Sequence, residues 1–214
     1  MYDLILFDFD FTLVDSSKGI VISIQYALEK LNCNIPTEEE IRHTIGLPLK
    51  DAFFSLAGSK SEKKYNLFKH YFMESSQNIM CENTSLFNDT IDVLKKLKDD
   101  NRDIAIVSAK DKKTIKKIAE QYNFSQFIDI IIGEHEVVNQ KPNPEQVQMV
   151  LDILNIPFNN ALYIGDSLID AYTAKNASVD FLAITTGTTL MEQFDAVPCI
   201  GVATCLQDAL LFIK

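Results

Sequence analysis

Short apolar runs alternate with longer amphipathic stretches over most of this chain. The apolar runs, which predict buried strands, lie at 4–8, 103–107, 128–132, 161–164 and 181–184. Helical spacing of apolar residues between them predicts helices at 89–100, 111–123 and 168–177, one that starts at Asn143-Pro144, and a last one at 205–213. For the helix at Asn143-Pro144, the sequence predicts Asn143 as the cap, Pro144 at the first position and Gln146 in a capping box. Strands that alternate with helices in this way predict a parallel sheet covered on both faces.

One long segment departs from this alternation and shows helical spacing throughout. Its predicted helices begin after the capping residue Ser16, at a Thr37–Glu40 capping box, at 49–56 and at 61–79. The first strand therefore has no covering helix directly after it, because this segment interrupts the alternation.

We place the boundaries of that segment where the period of the pattern changes. Residues 15–86 are predicted to form an all-helical insert. Residues 1–14 and 87–214 are predicted to form one discontinuous α/β core around the parallel sheet.

The composition is that of an acidic protein with a large apolar fraction. Of its 214 residues, 47% are hydrophobic, which is enough for a substantial core. Thirty acidic against twenty basic residues give a net charge of -10, which argues against binding to nucleic acids or anionic membranes. A small anionic substrate remains compatible, because a nearby lysine or metal ion outweighs distant, screened charge.

Cysteine spacing and hydropathy give expectations about location. The four cysteines lack CxxC spacing, which favours reduced thiols in a cytoplasmic protein: Cys33, Cys81, Cys199 and Cys205. No basic segment followed by a long apolar run stands at the N-terminus, and no apolar run approaches the length of a membrane span. We expect no export and no association with membranes.

Two aspartates directly follow the first apolar residues. In an extended chain, residues two apart point the same way, so Asp8 and Asp10 can share a cation or a proton. The pattern DxDxT also opens calcium loops, but those loops need a glycine and a glutamate where this chain has Leu13 and Gly19. Ordinary turn formation at a strand end stays open as an alternative for this pair.

Polar residues also follow the next predicted strands. Behind the second, third and fourth strands come, in order, Ser108, Lys141, and Asp166 with Ser167 and Asp170. Taken separately, Ser108 fits a helix cap, Lys141 fits a loop charge, and the last two residues fit a capping box. The carboxyl ends of parallel strands meet at one edge of a sheet, so we expect these groups and the first two aspartates to lie together there.

The order of these groups resembles that of a known family. The matching runs are DFDFTLVDS at 8–16, IGLPL at 45–49, IVSAK at 106–110, KPNPE at 141–145 and GDSLIDAYTAKNA at 165–177. In these runs the chain is similar to the haloacid dehalogenase superfamily of phosphohydrolases, in particular to its phosphoglycolate-phosphatase-like branch. The resemblance covers nearly the whole chain and implies a Rossmann-like parallel-sheet core with an inserted all-helical cap domain.

The resemblance also implies a role for each matched residue. Asp8 would be the nucleophile that forms an aspartyl-phosphate, and Asp10 the general acid and then the general base. The cofactor would be Mg²⁺, bound by Asp8, by Asp166 and by the backbone carbonyl of Asp10. The other implied site residues are Ser108, Ala109 and Lys141 at the phosphate, Thr12 and Asp170 behind the metal ligands, and Gly46, Leu47 and Lys50 in the cap loop.

Two positions depart from the family pattern. Phe11 stands where most relatives have glycine, and Ser178 replaces the usual glycine after Ala177. For Phe11 we expect a packing role and an influence on how the cap closes over the site. For Ser178 we expect a role at a helix end rather than in catalysis.

The activity implied by the resemblance is Mg²⁺-dependent hydrolysis of a small phosphorylated metabolite, with phosphoglycolate as the first candidate. Pyrophosphatase activity and a hexose-phosphate mutase of the β-phosphoglucomutase type are the alternatives within the superfamily. Dehalogenases lack the second aspartate, so Asp10 argues against them, and a phosphonatase would need a Schiff-base lysine such as Lys50 in the cap.

Two other classes of protein are alternatives to an enzyme. A signalling receiver module also gathers aspartates and a lysine at a sheet edge, but it is too short to include the helical insert. A binding or regulatory protein that keeps this fold without turnover is the non-enzyme alternative. We expect a monomer or a homodimer.

Overall fold

A six-stranded parallel sheet forms the centre of the computed structural model, which describes residues 2–213. The strands are β1 (Leu4–Phe7), β2 (Val14–Asp15), β3 (Ser85–Leu86), β4 (Asp103–Val107), β5 (Ile130–Ile132), β6 (Ala161–Gly165), β7 (Asp180–Ile184) and β8 (Gly201–Ala203). The large sheet has the order β5-β4-β1-β6-β7-β8, and all of its neighbouring strands run parallel. The predicted parallel sheet is therefore confirmed.

Strand β1 lies inside this sheet because it is apolar on both faces. All four of its side chains are fully buried. Its last residue, Phe7, pairs with Ile106 of β4 on one side and with Ile164 of β6 on the other. The carboxyl ends of the three strands are therefore nearly level, and the residues that follow them meet at one edge.

Helices cover both faces of the sheet. The α-helices of the described chain are α1 (Ser17–Lys30), α2 (Glu38–Arg42), α3 (Leu49–Ala57), α4 (Glu62–Ile79), α5 (Thr90–Asp99), α6 (Lys112–Gln121), α7 (Glu145–Leu154), α8 (Leu168–Ala177) and α9 (Leu206–Ala209). Ile5 and Phe7 of β1 belong to the apolar cluster formed with α5, α6 and α9, whereas Leu4 and Leu6 belong to the cluster formed with α7 and α8. Within residues 2–213, no helix has the length and apolarity needed to cross a bilayer.

Helices α1 to α4 pack around an apolar cluster of their own. This cluster includes Ile24 and Leu28 of α1, Ile41 of α2, Phe53 of α3 and Phe68 of α4. The rings of Phe53 and Phe68 lie 4.8 Å apart between centroids. A separate apolar cluster is what a separately packed insert requires, and the exact division at 15–86 stays a prediction.

Both ends of the insert differ from the all-helical prediction. Strands β2 and β3 pair antiparallel there, with Val14 opposite Leu86. Strands of two residues are too short to show the alternation by which a strand is recognised in a sequence.

The last predicted helix, at the C-terminal end of the core, is shorter than expected, since α9 covers Leu206–Ala209 and not 205–213.

Two predicted helix ends are confirmed. Thr37 caps α2, because its Oγ1 accepts from the Glu40 backbone N–H at 3.2 Å while the Glu40 carboxylate accepts from the Thr37 N–H at 2.8 Å. Ser178 ends α8 with a φ of 61°, in the left-handed region that commonly ends helices. Its predicted role at a helix end is therefore correct.

The predicted start of α7 is only partly correct. Asn143 Oδ1 accepts from the Glu145 N–H at 3.0 Å, so the asparagine does act at the helix start. Pro144 lies one position before the first helical residue rather than in it. Gln146 was expected in a capping box, but its amide donates to the carbonyls of Ser108 and Gly133 at 3.0 and 2.9 Å. Gln146 therefore makes tertiary hydrogen bonds to the residues that directly follow β4 and β5 in place of the predicted capping hydrogen bond.

Candidate active site

Three buried aspartates lie together at the carboxyl edge of the sheet. Asp8 follows β1, Asp166 follows β6, and Asp170 lies in the first turn of α8. Their exposed fractions are 1%, 4% and 0%, and one carboxylate oxygen from each lies within 4.8 Å of the other two. The convergence of these three predicted site residues follows from the level ends of β1 and β6.

Lys141 places a buried ammonium against two of these carboxylates. Its Nζ donates to Asp8 Oδ1 at 3.0 Å and to Asp170 Oδ1 at 2.6 Å. The hydroxyl of Tyr163 on β6 lies 3.1 Å from the same Nζ and 2.9 Å from Asp170 Oδ1. The cluster therefore holds three carboxylates and one ammonium, which contacts two of them, and its carboxylates outnumber its cation.

Burial and mutual repulsion change the protonation of the cluster. Burial raises the pKa of Asp8 to about 6, although the Lys141 ammonium opposes the shift and neighbouring carboxylates add to it. Burial, with repulsion from Asp170 and Asp8, also holds the pKa of Asp166 well above its usual range. Burial disfavours the charge on Lys141, but attraction to the same two carboxylates outweighs it and holds its pKa well above its usual value. A divalent cation would favour the ionised form of the carboxylates.

Hydrogen bonds tie Asp170 down more tightly than Asp166. Asp170 Oδ1 faces Lys141, and its Oδ2 accepts from the Ser167 N–H at 3.2 Å and from the Ser167 hydroxyl at 2.6 Å. Ser167 Oγ accepts in turn from the Asp170 N–H, so the predicted capping box of α8 is confirmed. The hydroxyl of Thr12 donates to Asp166 Oδ1 at 3.2 Å. Asp170 therefore holds Lys141 and the start of α8 in place.

Asp10 is held by two residues that were not singled out from the sequence as site residues. The Ser16 hydroxyl donates to Asp10 Oδ1, and Lys110 Nζ lies 2.9 Å from the same oxygen. Ser16 stands directly before α1, so the core strand and the first helix of the insert meet at this carboxylate. The signal for Lys110 in the sequence is its place two residues after Ser108, within the IVSAK run.

Ser108 lies at the same edge, directly after β4. It is 2% exposed. Its explanation as a helix cap is wrong, because Asp111 caps α6: the Asp111 Oδ2 accepts from the Thr114 N–H at 3.0 Å. The Ser108 hydroxyl therefore does not serve as the cap of that helix.

A cavity of about 90 Å³ lies between this edge and the insert. The core lines it with Asp10, Ser108 and Ala109, and the loop between α2 and α3 lines it with Gly46 and Leu47. Two of the three predicted cap-loop residues are thus brought to the site.

Lys50, the third predicted cap-loop residue, contacts the insert instead. Its Nζ lies 2.6 Å from the Glu62 carboxylate and 5.6 and 5.9 Å from the ring centroids of Phe54 and Tyr65. These contacts lie within α3 and with the neighbouring α4, and Lys50 is not among the described residues that line the cavity. The predicted role of Lys50 as a cap-loop substrate residue stays a prediction.

The backbone conformation of Phe11 is one that glycine adopts more easily. Its φ is 59°, in the left-handed region that a phenylalanine rarely adopts. The ring is 2% exposed, and the Arg42 guanidinium lies 5.2 Å from its centroid. The Thr186 hydroxyl donates to the Phe11 carbonyl. The predicted packing role of Phe11 is confirmed, with α2 of the insert as its partner.

Phe11→Gly is expected to lower the free energy of unfolding by about 2–4 kcal/mol. Loss of a buried phenyl ring costs about 3–5 kcal/mol, whereas relief of the left-handed backbone returns about 1 kcal/mol. Urea denaturation measures the change. Phe11→Ala is the matched control, because it loses the ring but keeps the strained φ, and we expect it to be less stable than Phe11→Gly. A Phe11→Gly protein as stable as wild type would contradict this account.

The fold and the site define a class of protein: a hydrolase with a parallel-sheet core, a buried carboxylate and lysine cluster at its carboxyl edge, and a helical insert above it. The family model of the haloacid dehalogenase-like hydrolases matches residues 5–184. The chain belongs to this family. The predicted family, the predicted fold and the predicted class of enzyme, a phosphatase-type hydrolase, are therefore confirmed.

Relatives and solved structures agree with this assignment. The pyrophosphatase PpaX of Oceanobacillus iheyensis is 29% identical over 180 residues, which cover 84% of this chain and 82% of the relative. A Bacteroides fragilis protein assigned as a haloacid dehalogenase-like hydrolase is 35% identical, with a TM-score of 0.94 over 96% of this chain and 98% of that one. A Haemophilus somnus protein assigned as a phosphoglycolate phosphatase is 22% identical, with a TM-score of 0.88 over 100% and 98% of the two chains. That last likeness concerns the fold alone.

Proposed function

We propose that this hydrolase is a Mg²⁺-dependent phosphatase that cleaves a small-molecule phosphate ester through an aspartyl-phosphate on Asp8. The observation that carries the proposal is the convergence of Asp8, Lys141 and Asp166 at one edge of the sheet, with Asp10 and Ser108 lining the adjacent cavity. A buried carboxylate next to a buried ammonium suits nucleophilic attack on a phosphoryl group that the ammonium helps to bind.

Asp8 and Asp10 divide the chemistry between them. An Oδ of Asp8 attacks phosphorus, the bond from phosphorus to the ester oxygen breaks, and Asp10 gives its proton to the leaving alkoxide. Asp10 then takes a proton from a water molecule, whose oxygen attacks phosphorus and releases inorganic phosphate and the Asp8 carboxylate. Ser16 and Lys110 contact Asp10 and fix its orientation.

The donor set fits Mg²⁺, which prefers oxygen ligands from carboxylates and carbonyls. Asp8 and Asp166 would hold the ion together with the backbone carbonyl of Asp10. Asp170 belongs to the same acidic group, but its oxygens are bonded to Lys141 and Ser167, which supports an orienting role. When bound, Mg²⁺ supplies charge neutralisation at the phosphoryl oxygens.

Ser108, Ala109 and Lys141 are proposed to bind the phosphoryl group. Ser108 would donate its hydroxyl, Ala109 its backbone N–H, and Lys141 its ammonium. Ser108 and Ala109 line the cavity at the carboxyl end of β4, which supports this assignment.

Ser108→Ala is expected to lower kcat/KM by about 10- to 150-fold, because a hydrogen bond to a charged group contributes about 1.5–3 kcal/mol. Steady-state hydrolysis of p-nitrophenyl phosphate with Mg²⁺ measures the change. Ser108→Thr keeps the hydroxyl and should recover much of the loss. An unchanged kcat/KM in Ser108→Ala would count against its place at the phosphate.

Phosphoglycolate, pyrophosphate and a hexose phosphate are the substrates suggested by the family resemblance and by the relatives' names. A mutase shares the whole catalytic centre, so analysis of the products from a hexose phosphate separates release of inorganic phosphate from isomerisation. Mg²⁺-dependent hydrolysis of p-nitrophenyl phosphate tests phosphatase activity itself. A folded protein that releases no phosphate would overturn the proposal and favour a binding or regulatory role.

We further propose that the enzyme is cytoplasmic, that it is a monomer or a homodimer, and that its ligand is a small phosphorylated metabolite. The cysteines are unpaired in the structure, which supports a reducing compartment: Cys33, Cys81, Cys199 and Cys205. The net charge of -10 supports the absence of nucleic acids and membranes from its partners.

A further inference from the structure

The cavity beside Asp10 is apolar on the side that the insert provides. Aliphatic, aromatic and thioether groups form most of that side: Ile20, Ile24, Leu47, Leu49, Phe72 and Met73. The hydroxyls of Thr44 and Ser76 add two uncharged polar groups. Among the described residues that line the cavity, those of the insert include no lysine and no arginine. A leaving group placed here therefore meets a surface suited to methyl and methylene groups.

The charged groups on the core side add negative charge. They are Asp10, Lys110, Asp111 and Glu134, three carboxylates with one ammonium. The ammonium of Lys110 lies 2.9 Å from Asp10 and is engaged there. Lys69 of α4 pairs with Glu134 at 3.4 Å and offsets part of that charge. A second anionic group on the substrate would thus be repelled, because no uncommitted cation of the described lining faces it.

The cations of the insert nearest in sequence to the cavity loop are committed elsewhere. The guanidinium of Arg42 is bonded to Ser17 and lies over the Phe11 ring. The ammonium of Lys50 is paired with Glu62. Neither belongs to the cavity lining, so neither is placed to bind a carboxylate or a second phosphate.

We infer that the substrate is a phosphate monoester of a small, uncharged alcohol with an apolar carbon chain, and not phosphoglycolate or pyrophosphate. The inference rests on the proposed phosphatase function, which puts the phosphoryl group at Asp8, Ser108 and Lys141 and the leaving group in the cavity beside Asp10. A volume of about 90 Å³ corresponds to roughly three water molecules at about 30 Å³ each. The alcohol therefore has only a few carbons.

Isobutyl phosphate and phosphoglycolate are a matched pair for the test. Their leaving groups have the same branching and the same number of non-hydrogen atoms, and two methyl groups replace the two carboxylate oxygens. We expect the purified protein with Mg²⁺ to hydrolyse isobutyl phosphate with a kcat/KM at least about tenfold higher than phosphoglycolate or pyrophosphate. Preference for either anionic substrate would overturn the inference.

Hydrolysis of p-nitrophenyl phosphate shows whether a negative result contradicts this inference alone or the proposed function as well. Hydrolysis of p-nitrophenyl phosphate together with a preference for phosphoglycolate overturns the inference and leaves the phosphatase function standing. If the folded protein hydrolyses none of these compounds, the proposed function itself fails.

Leu47→Lys tests whether the cavity lining sets the preference. Leu47 lines the cavity from a loop of the insert, and a lysine there would offer the missing cation. We expect the ratio of kcat/KM values to shift at least about tenfold toward phosphoglycolate. Leu47→Met, which is similar in size and uncharged, is the matched control and should not shift the ratio in that direction. An unchanged ratio in Leu47→Lys would overturn the inference.

Discussion

Asp8→Asn is expected to lower kcat by on the order of 10⁴-fold or more, because the amide keeps the shape of the side chain but is not a nucleophile. The same change replaces one of the two carboxylates that contact Lys141, which is also a member of the acidic group, with a neutral amide. Steady-state hydrolysis of p-nitrophenyl phosphate with Mg²⁺ measures the loss. Acid quenching of the wild-type reaction, followed by peptide mass spectrometry, should find the phosphoryl group on Asp8.

Two controls make the Asp8→Asn result specific. Asp99→Asn changes an exposed aspartate at the end of α5 and should leave kcat unchanged. Circular dichroism and thermal unfolding should show that the Asp8→Asn protein is folded. A folded Asp8→Asn protein that turns over at a rate close to wild type would exclude the covalent mechanism.

The strands could be predicted closely because each is a short apolar run bounded by polar residues. Strand β4 has the predicted bounds, and so does helix α8. Strand β5 begins later than predicted, at Ile130 instead of residue 128. The reason is a side chain: the Asp129 carboxylate accepts from the Ile104 N–H at 2.8 Å, in place of a backbone carbonyl in the ladder. Apolar periodicity does not reveal that a side-chain oxygen takes the place of a backbone carbonyl.

The site could be predicted wherever it depends on the order and direction of strands. Asp8, Lys141 and Asp166 come together because parallel strands end at one edge, and this rule needs no coordinates. Tyr163 could not be recognised as a site residue from the sequence, because an aromatic residue inside an apolar strand is expected to belong to the hydrophobic core. Its position at the site is seen from its hydroxyl, which contacts Lys141 and Asp170.

Contacts between the insert and the core were the hardest to predict. Ser16 was interpreted as a helix cap, yet its side chain makes no capping hydrogen bond and donates to Asp10 instead. Lys50 matched the family's cap loop by position, but it turns toward Glu62. The first result depends on how the insert sits over the sheet and the second on how α3 packs against α4. Neither hydrophobic period nor motif spacing contains that information.

Removal of Mg²⁺ is expected to abolish turnover and to make the stability of the protein fall as pH rises. Burial raises the pKa of Asp8 to about 6, above the usual 3.8, and the pKa of Asp166 moves in the same direction. A carboxyl whose pKa is raised by folding contributes stability below its unfolded pKa, and this contribution is lost as pH rises through the folded pKa. For Asp8 the loss therefore falls between about pH 4 and pH 6 and is complete somewhat above the upper value.

Under the proposed function Mg²⁺ should reverse this trend, because it would bind the ionised carboxylates and displace their protons. Thermal unfolding with Mg²⁺ and with EDTA at about pH 5 and about pH 8 measures the effect, and we expect the Mg²⁺-dependent rise in Tm to be larger at the higher pH. Asp166→Asn should reduce that rise, since it replaces one carboxylate of the acidic group with a neutral amide while Asp8 and Lys141 remain. Full activity in EDTA, or a rise in Tm that is the same at both pH values, would show that these carboxylates do not hold the ion.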